Sequence, residues 1–307
     1  MKYFLGIDTS NYTTSVSLVD EDGRVCENKK ILLDVAEGER GLRQSDAVFS
    51  HVKNFPRITE GLGKRDIIAV GYSYAPRDVE NSYMPCFLVG KAVATMYAEL
   101  NGAPLYQFSH QRGHVRAALY SSGREDLIGK SFVAFHISGG TTDILYVENG
   151  VIKQIGGTLD LNAGQAIDRA GVLMGMKFPC GPELERIATE SEIKPKISVK
   201  GLNCNLSGLE NKVKDQIAGG VSRGAIAAYV LDFIRLTVDK LCENVREMYP
   251  DIEMIFSGGV TSNRRIAAYI GKKYNASFAE PVFSSDNAAG TALLTFDSYK
   301  RESLNDE

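Results

Sequence analysis

"GIDTSNYTTSVSLVDEDGRV", residues 6–25, is matched more than a hundred residues later by "HISGGTTDILYVENGVI", residues 136–152. Each stretch runs from an apolar strand into a small-residue turn with Thr-Thr. Each continues as a second apolar-rich strand, turns at Asp-Gly or Asn-Gly, and enters a third strand. Thr13-Thr14 corresponds to Thr141-Thr142, and Asp22-Gly23 to Asn149-Gly150. Asp-Gly and Asn-Gly are strong hairpin signals, because the tight turn that matches strand twist needs positive φ at both central residues. Solenoid repeats recur every roughly 20–50 residues, so this far longer spacing predicts two homologous lobes instead.

Strands and helices alternate after each copy. "IIAVGYSYA" reads as a strand, and "LVGKAVATMYAELNG" as a helix ending at Asn101-Gly102. In the second half, "NAGQAIDRAGVLMGM" and "SRGAIAAYVLDFIRLTVDKLCENVREMY" carry helical spacing of apolar residues. "EMIFSGG" is a strand running into a Gly-Gly turn, "NRRIAAYIGKKY" a helix, and "DNAAGTALLTFDSYK" a last helix with Asp286 near its start. The alternation predicts an α/β protein of two similar lobes with a cleft between them. We place the first lobe at 1–105 and the second, with the metal and nucleotide residues, at 106–307. A C-terminal helix at about 287–300 is placed to pack back on the first lobe.

Bulk properties narrow the class. The 307 residues carry a net charge of −3, which argues against generic nucleic-acid binding, although local patches decide contacts. One basic stretch holds Lys194, Lys196, Lys200, Lys212 and Lys214 and reads most simply as a solvated loop and helix face. Cys26, Cys86, Cys180, Cys204 and Cys242 are scattered and form no C-x-x-C pair, so a disulfide framework or zinc–thiolate site is not expected. No apolar run is long enough to span a membrane, and "MKYFLGIDTS" reads as a buried strand, not a secretory signal. A cytoplasmic setting follows.

"SHQRGHVRAALY", residues 109–120, holds two of the four histidines, His110 and His114. Four apart in a helical segment, they share one face and can reach one ion. The pair alone equally suits ordinary, partly exposed histidines. A third ligand is needed, and no cysteine or carboxylate stands close by in sequence. Gln111 follows His110 where an H-E-x-x-H zinc protease has its general base, which disfavours peptidase activity.

Two glycine turns suit a nucleotide. "ISGGTTD", Ile137 to Asp143, places Gly139 and Gly140 directly after a strand, where a phosphate can approach the main chain. "FSGGVTSN", Phe256 to Asn263, repeats the device with Gly258 and Gly259 and then opens a helix, whose N-terminus favours anions.

Taken in order and spacing, "GIDTS", "LVGKAVA", "HQRGH", "ISGGTTD", "AGQAIDRAGVLMGM" with "FPCGP", "NLSGL", "SGGVTSNRR" and "SDNAAG" resemble the TsaD family of tRNA threonylcarbamoyltransferases, formerly classed as glycoproteases. That family belongs to the actin-like ATPase superfamily, whose sugar kinases, heat-shock chaperones and actin share a two-lobed fold. The resemblance runs through nearly the whole chain. It implies that His110, His114 and Asp286 form the catalytic metal set, holding Fe²⁺ or Zn²⁺. It also implies that ATP or an acyl-adenylate, through its AMP moiety, contacts His136, Ile137, Ser138, Gly139 and Gly140, together with Asp168, Gly181 and Asn263. Thr141 and the glycines of the second turn extend that candidate set. Asp8 corresponds to the N-terminal acid of actin-like ATPases, which often acts through Mg²⁺. Plain structural readings stand beside these. Asp8 could cap its own turn, Asn263 the next helix, Gly181 could serve the turn after Pro179, and Asp168 could be a surface acid.

The chain also departs from the family pattern. E-T-S-C-D-E-T is replaced by "DTSNYTT", so a cysteine and two acids become Asn11, Tyr12 and Thr13. S-G-G-H-T becomes "SGGTT", with Thr141 in place of a histidine and His136 appearing upstream in the same strand. A Gly-Pro-Gly loop becomes "YAPRDVENSYMP", which keeps Pro76 but not the glycines. The metal set is untouched. A divergent paralogue is the expectation, transferring threonylcarbamoyl from threonylcarbamoyl-AMP to tRNA adenosine. The alternatives are carbamoyl transfer from carbamoyl-adenylate to another acceptor, a small-molecule kinase using Asp8 or Asp78, and a non-catalytic ATP-binding subunit. Expected partners are a nucleotide, tRNA and a second actin-fold subunit, as homodimer or heterodimer, with no membrane.

Overall fold

Both copies of the repeat fold as three-stranded antiparallel ribbons. The computed structural model describes residues 1–10, 12–34 and 42–305; of the residues singled out above, Asn11 lies outside them. In the first ribbon β1 (Lys2–Ser10), β2 (Thr13–Asp20) and β3 (Val25–Leu32) pair in succession. Gly23 takes φ +81° at the Asp-Gly turn. In the second, β6 (Phe132–Ile137), β7 (Thr142–Glu148) and β8 (Val151–Thr158) pair likewise, and Asn149 and Gly150 both have positive φ, +49° and +76°.

Parallel strands then extend each ribbon on the side of its first strand. β4 (Asp66–Ala75) pairs with β1 and β5 (Leu105–Ser109) with β4, giving the order β3-β2-β1-β4-β5. In the second sheet β11 (Met254–Ser257) pairs with β6 and β12 (Ser277–Phe278) with β11. That gives the same five-strand order, widened by β10 (Asn203–Asn205) and β9 (Ser198–Lys200) beyond β8. The shared topology is that of an actin-like α/β protein with a duplicated lobe.

The chain divides into two compact units, Met1–Ala117 with Asp286–Glu307, and Ala118–Ser285. In the first, α1 (Gln44–Thr59) and α2 (Phe87–Asn101) bury Phe55, Ile58, Val89, Ala94 and Ala98 against Leu5, Ile7, Val16 and Tyr72 of the sheet. α2 ends as expected, at Gly102 in the left-handed conformation. The opposite sheet face carries α10 (Ala289–Asn305), which packs on β1, β2 and β4. The approach is close enough that a Cβ on Gly6 would stand 2.4 Å from the Ala292 nitrogen. In the second unit α4 (Ala163–Leu173), α5 (Gly181–Ile187), α6 (Gly208–Ala218), α7 (Arg223–Met248) and α8 (Arg264–Tyr274) surround a core on the Val133, Phe135 and Phe256 face, and the short α9 (Pro281–Ser284) follows β12. Ser222 caps α7 by accepting from the Ala225 N–H.

The unit boundary falls after Ala117, not near 105. β5 pairs with β4 and runs without a break into α3 (His110–Ser121), so the His pair stays with the first sheet. Asp286, just before α10, returns to the same unit. Among the described residues, no helix is long and apolar enough to cross a membrane.

Candidate functional site

The metal candidates are brought together inside the first unit. His110 opens α3 and His114 follows one turn later, with their Nε2 atoms 2.9 Å apart. Asp286 Oδ1 stands 3.6 Å from His110 Nε2 and 3.3 Å from His114 Nε2. All three ligand atoms lie within 4.8 Å of one another. Two nitrogens 2.9 Å apart subtend about 90° at an ion about 2.05 Å from each, an ordinary angle for Zn²⁺ or Fe²⁺. Asp286 is about one-third exposed, so the cluster is open on one side, as a catalytic rather than structural metal requires.

Two glycines from the two motifs make this meeting possible. A Cβ on Gly290, in "SDNAAG", would stand 1.8 Å from the carbonyl oxygen of Gly113, in "HQRGH". The α10 backbone therefore rests directly on the α3 backbone between the two histidines, and the carboxylate that precedes α10 is delivered to their rings.

Asp8 lies behind His110 and is buried. Its Oδ2 meets His110 Nδ1 at 2.7 Å and also accepts from the Ser73 hydroxyl, while its Oδ1 accepts from the Ser10 N–H at 2.9 Å. Both oxygens are engaged within this cluster, which gives Asp8 the place of a carboxylate orienting a metal-binding histidine. Burial alone would raise the Asp8 carboxyl, but the His110 charge and the hydrogen bonds from His110 and Ser73 hold it below the usual range. Asp286 is likewise held well down by His110 and His114 despite desolvation. For His110, desolvation is outweighed by the Asp8 charge and the bonds to Asp286, and its pKa rises.

The proton inventory says what the cluster wants. With Nδ1–H given to Asp8, His110 turns an Nε2 lone pair toward His114 Nε2. Two such lone pairs cannot face each other at 2.9 Å without a proton or a metal cation between them. A metal would replace that proton, so uptake should release it. Asp8→Asn keeps the shape and removes the charge behind His110. It should weaken metal binding by about 10–100-fold, measured by competition with a chromogenic chelator.

The nucleotide candidates lie in the second unit and form a closed chain of contacts. Beyond Ile137, the 138–141 turn is closed by the Ser138 N–H donating to the Thr141 carbonyl at 2.8 Å. It packs on the start of α4, where the Gly164 N–H donates to the Ser138 carbonyl and Asn162 Nδ2 to the Gly140 carbonyl. Further along α4, Asp168 Oδ1 accepts from the Cys180 N–H at 2.8 Å, next to Gly181 at the head of α5. From α5, Glu185 accepts from the Arg264 N–H at 2.9 Å. Asn263 N–H donates to the Val260 carbonyl, and Val260 N–H to the Ile137 carbonyl, which returns the chain to β6. His136, buried on β6, meets Ser257 Oγ of β11 at 3.0 Å.

Within this ring the roles separate. Gly258, at φ +100°, would put a Cβ 2.2 Å from the Ile137 carbonyl oxygen, so only glycine closes that turn. Gly139, Gly140 and Gly259 have open space where a side chain would stand. Asn263 caps α8 through the Arg265 and Ile266 N–H groups, and Glu185 takes the Arg264 N–H. The N-terminus of α8 is thus already occupied by side-chain acceptors, and the Gly140 N–H donates to Ser138 Oγ at 3.3 Å. Burial pushes the Asp168 carboxyl up despite the Cys180 bond.

Several contributors escaped the sequence reading. Ser73 is an isolated hydroxyl residue on a strand, whereas Ser10 and Thr13 were readable as members of "DTSNYTT" but not as contacts; the last two each donate to Asp286 Oδ2 at 3.4 Å. Glu185 and Ser257 act only through neighbours distant in sequence. Gly113 and Gly290 were readable as motif members, but not as a contact.

Comparison with known proteins places these features. The model of the family described as TsaD, tRNA N6-adenosine threonylcarbamoyltransferase, matches residues 61–293. That span contains the metal set and the nucleotide ring, and begins after the first ribbon. A tRNA N6-adenosine threonylcarbamoyltransferase of Methanopyrus kandleri is 26% identical over 297 residues, covering 93% of this chain and 84% of that protein. One of Nanoarchaeum equitans is 26% identical over 305 residues, covering 95% and 92%. Among solved structures, full-length HypF in a phosphate- and nucleotide-bound form aligns with a TM-score of 0.60 at 12% identity, over 96% of this chain and 55% of that one. Component A of the Acidaminococcus fermentans (R)-2-hydroxyglutaryl-CoA dehydratase aligns with a TM-score of 0.59 at 14% identity, over 98% and 100%. A ROK family glucokinase from Streptomyces griseus gives 0.55 at 12%, over 96% and 99%. These structural likenesses establish the fold.

Proposed function

Because the chain belongs to the TsaD family, we propose that it transfers a threonylcarbamoyl group from threonylcarbamoyl-AMP to the exocyclic amine of a tRNA adenosine. The observation that carries this reading is the His110–His114–Asp286 cluster with Asp8 behind it. Fe²⁺ or Zn²⁺ held there would supply a Lewis acid that polarises the acyl carbonyl. The chain's own residues do the rest. Asp8 fixes the His110 tautomer so that Nε2 faces inward. Ser10 and Thr13 hold Asp286 Oδ2, leaving Oδ1 toward the rings. Gly139, Gly140 and Gly259 give the adenylate phosphate close approach to main chain. In the transfer, the amine nitrogen bonds to the carbonyl carbon, the bond from that carbon to the phosphate oxygen breaks, AMP leaves and one proton is released. Gln111 follows His110, so no glutamate stands ready to activate water for peptide hydrolysis.

tRNA and a nucleotide are therefore the proposed ligands, in the cytoplasm. Lys194, Lys196 and Lys200 are exposed, and Lys212 and Lys214 pair with Asp215 and Glu210 on their own helix. A moderate, salt-sensitive RNA contribution fits them. A second actin-fold subunit, identical or related, would find an apolar face at the exposed Phe49, Val52, Leu88 and Met96 of α1 and α2.

Carbamoyl transfer from carbamoyl-adenylate to another acceptor is the second reading. It is favoured by Thr13 and Thr141 at positions where the family pattern has an acid and a histidine. Incubation with threonylcarbamoyl-AMP and tRNA, followed by nucleoside mass spectrometry, separates the two. Threonylcarbamoyladenosine is the expected product. Its absence, with an adenylate of a different acyl group co-purifying with the protein, would overturn the first reading in favour of the second.

A further inference from the structure

Four histidines occur in the chain, and His51 belongs to none of the sets above. It projects from α1 into the first unit and is fully buried. Its Nδ1 lies 2.8 Å from Thr14 Oγ1, and Asn54 Nδ2, one turn along α1, donates to the same hydroxyl at 3.2 Å. These two bonds fix every proton. An amide NH₂ can only donate, so Thr14 Oγ1 accepts from Asn54 and gives its own hydrogen to His51 Nδ1. Nδ1 is then bare and Nε2 carries the hydrogen. Burial holds the ring's pKa down at about 4, so the neutral tautomer persists at neutral pH. The buried Nε2–H meets no hydrogen-bond acceptor among the described residues. A fully buried N–H without an acceptor costs stability, about 1–3 kcal/mol for such a group. A hydrophobic residue of the same size would avoid that cost, so the histidine calls for a local purpose.

The purpose lies at the ends of β1 and β2. Ser10 and Thr13 face each other across the ribbon, as do Thr9 and Thr14. Ser10 donates its N–H to Asp8 and its hydroxyl to Asp286, and Thr13 donates its hydroxyl to Asp286. The strand ends gripped by His51 from one side of the sheet thus hold, on the other, both the metal-site carboxylate and the carboxylate that orients His110. We propose that His51 is a positioning residue for the metal site: through Thr14 it sets the strand ends whose hydroxyls fix the Asp286 carboxylate. This rests on the reading of His110, His114 and Asp286 as metal ligands, and adds to it a residue that touches none of them.

Substitution isolates the contact. The oxygen of an asparagine side chain can take the place of Nδ1. His51→Phe keeps the volume and removes the contact, and Thr14→Val removes the shared hydroxyl from the other side. The probes are Zn²⁺, by competition with a chromogenic chelator, and Co²⁺, by its visible d–d absorption, with thermal unfolding as the control for folding. His51→Phe and Thr14→Val should each weaken metal binding by about 10-fold or more, as loss of a supporting contact does. Both should alter the Co²⁺ spectrum, and the double variant should be no worse than the poorer single one. His51→Asn should recover part of the affinity. If His51→Phe does not fold, Thr14→Val carries the test. Folded variants with wild-type affinity and spectrum would overturn the role of His51 alone. Wild-type protein taking up neither metal would overturn the metal reading, and this role with it.

Discussion

His110→Ala combined with His114→Ala is expected to abolish metal binding and to lower transfer activity by at least about 10³-fold, while the protein still folds. The size follows from the several kcal/mol that a Lewis acid contributes at a developing negative charge, with each 1.4 kcal/mol worth about a factor of ten. The fold should survive because neither ring belongs to the hydrophobic core of the first unit, and both are only partly buried. Removing the pair does give up some stability in the metal-free protein, because the raised His110 pKa means that Asp8 and Asp286 hold its charged ring in the folded state. Asp8 is the group left exposed to harm, since its buried carboxylate loses His110 and keeps only Ser73 and the Ser10 N–H. The double variant should therefore bind a proton at Asp8 more readily than wild type does. Chelator competition, unfolding temperature and nucleoside mass spectrometry on the same preparation check the three parts. An inactive variant that retained its metal would show that the histidines act in some other way.

Gly290→Ala is expected to be the most damaging single methyl group in the first unit. Its Cβ would stand 1.8 Å from the Gly113 carbonyl oxygen and within 2.8 Å of two further backbone atoms of that residue. Neither partner is a side chain that can rotate away. Helices α3 and α10 would have to part by roughly an ångström, at a cost of about 3 kcal/mol, the upper end for overpacking. That is a large share of a typical domain's stability of about 5–15 kcal/mol. Separation of the two helices also draws Asp286 from the histidines, so metal affinity should fall with stability. Gly113→Ala makes the contrast. Its Cβ would meet the buried Thr291 hydroxyl, which pairs with Ser73, at 3.3 Å, a tight contact but not an overlap with backbone. Alanine's better helix propensity, worth about 1 kcal/mol, offsets part of that crowding, so this variant should fold and lose far less stability and metal affinity than Gly290→Ala does. Paired denaturation curves and metal titrations of the two variants check the asymmetry.

The duplicated ribbon was legible in the sequence because its signals are local. Apolar alternation and the Asp-Gly and Asn-Gly turns depend on neighbours within ten residues, and both strand orders grew from them. The His pair was legible for the same reason, since one helical turn relates the two rings. Asp286 was not reachable this way. Only family resemblance pointed to it, because nothing within 170 residues of the chain signals a contact made by a glycine on each of two helices. The placement of His110 and His114 in the first unit was missed, because the strand-to-helix junction at Ser109–His110 carries no boundary signal of its own. Helix α1 was not singled out, as Pro56 inside it and the polar residues around Asn54 weaken the helical pattern. His51 went unnoticed with it, for a lone histidine in an unassigned segment looks like any other. The cap role of Asn263 was anticipated, whereas Glu185 at the same helix start depends on a partner 79 residues away.

The central claim is that His110, His114 and Asp286 hold a metal ion. Elemental analysis of protein purified without chelators, for iron and zinc, tests it most directly. The account predicts about one equivalent of iron or zinc per chain in wild type, and none above background in the His110→Ala/His114→Ala variant. Wild-type protein with no more metal than that variant, even after exposure to both ions, would contradict it.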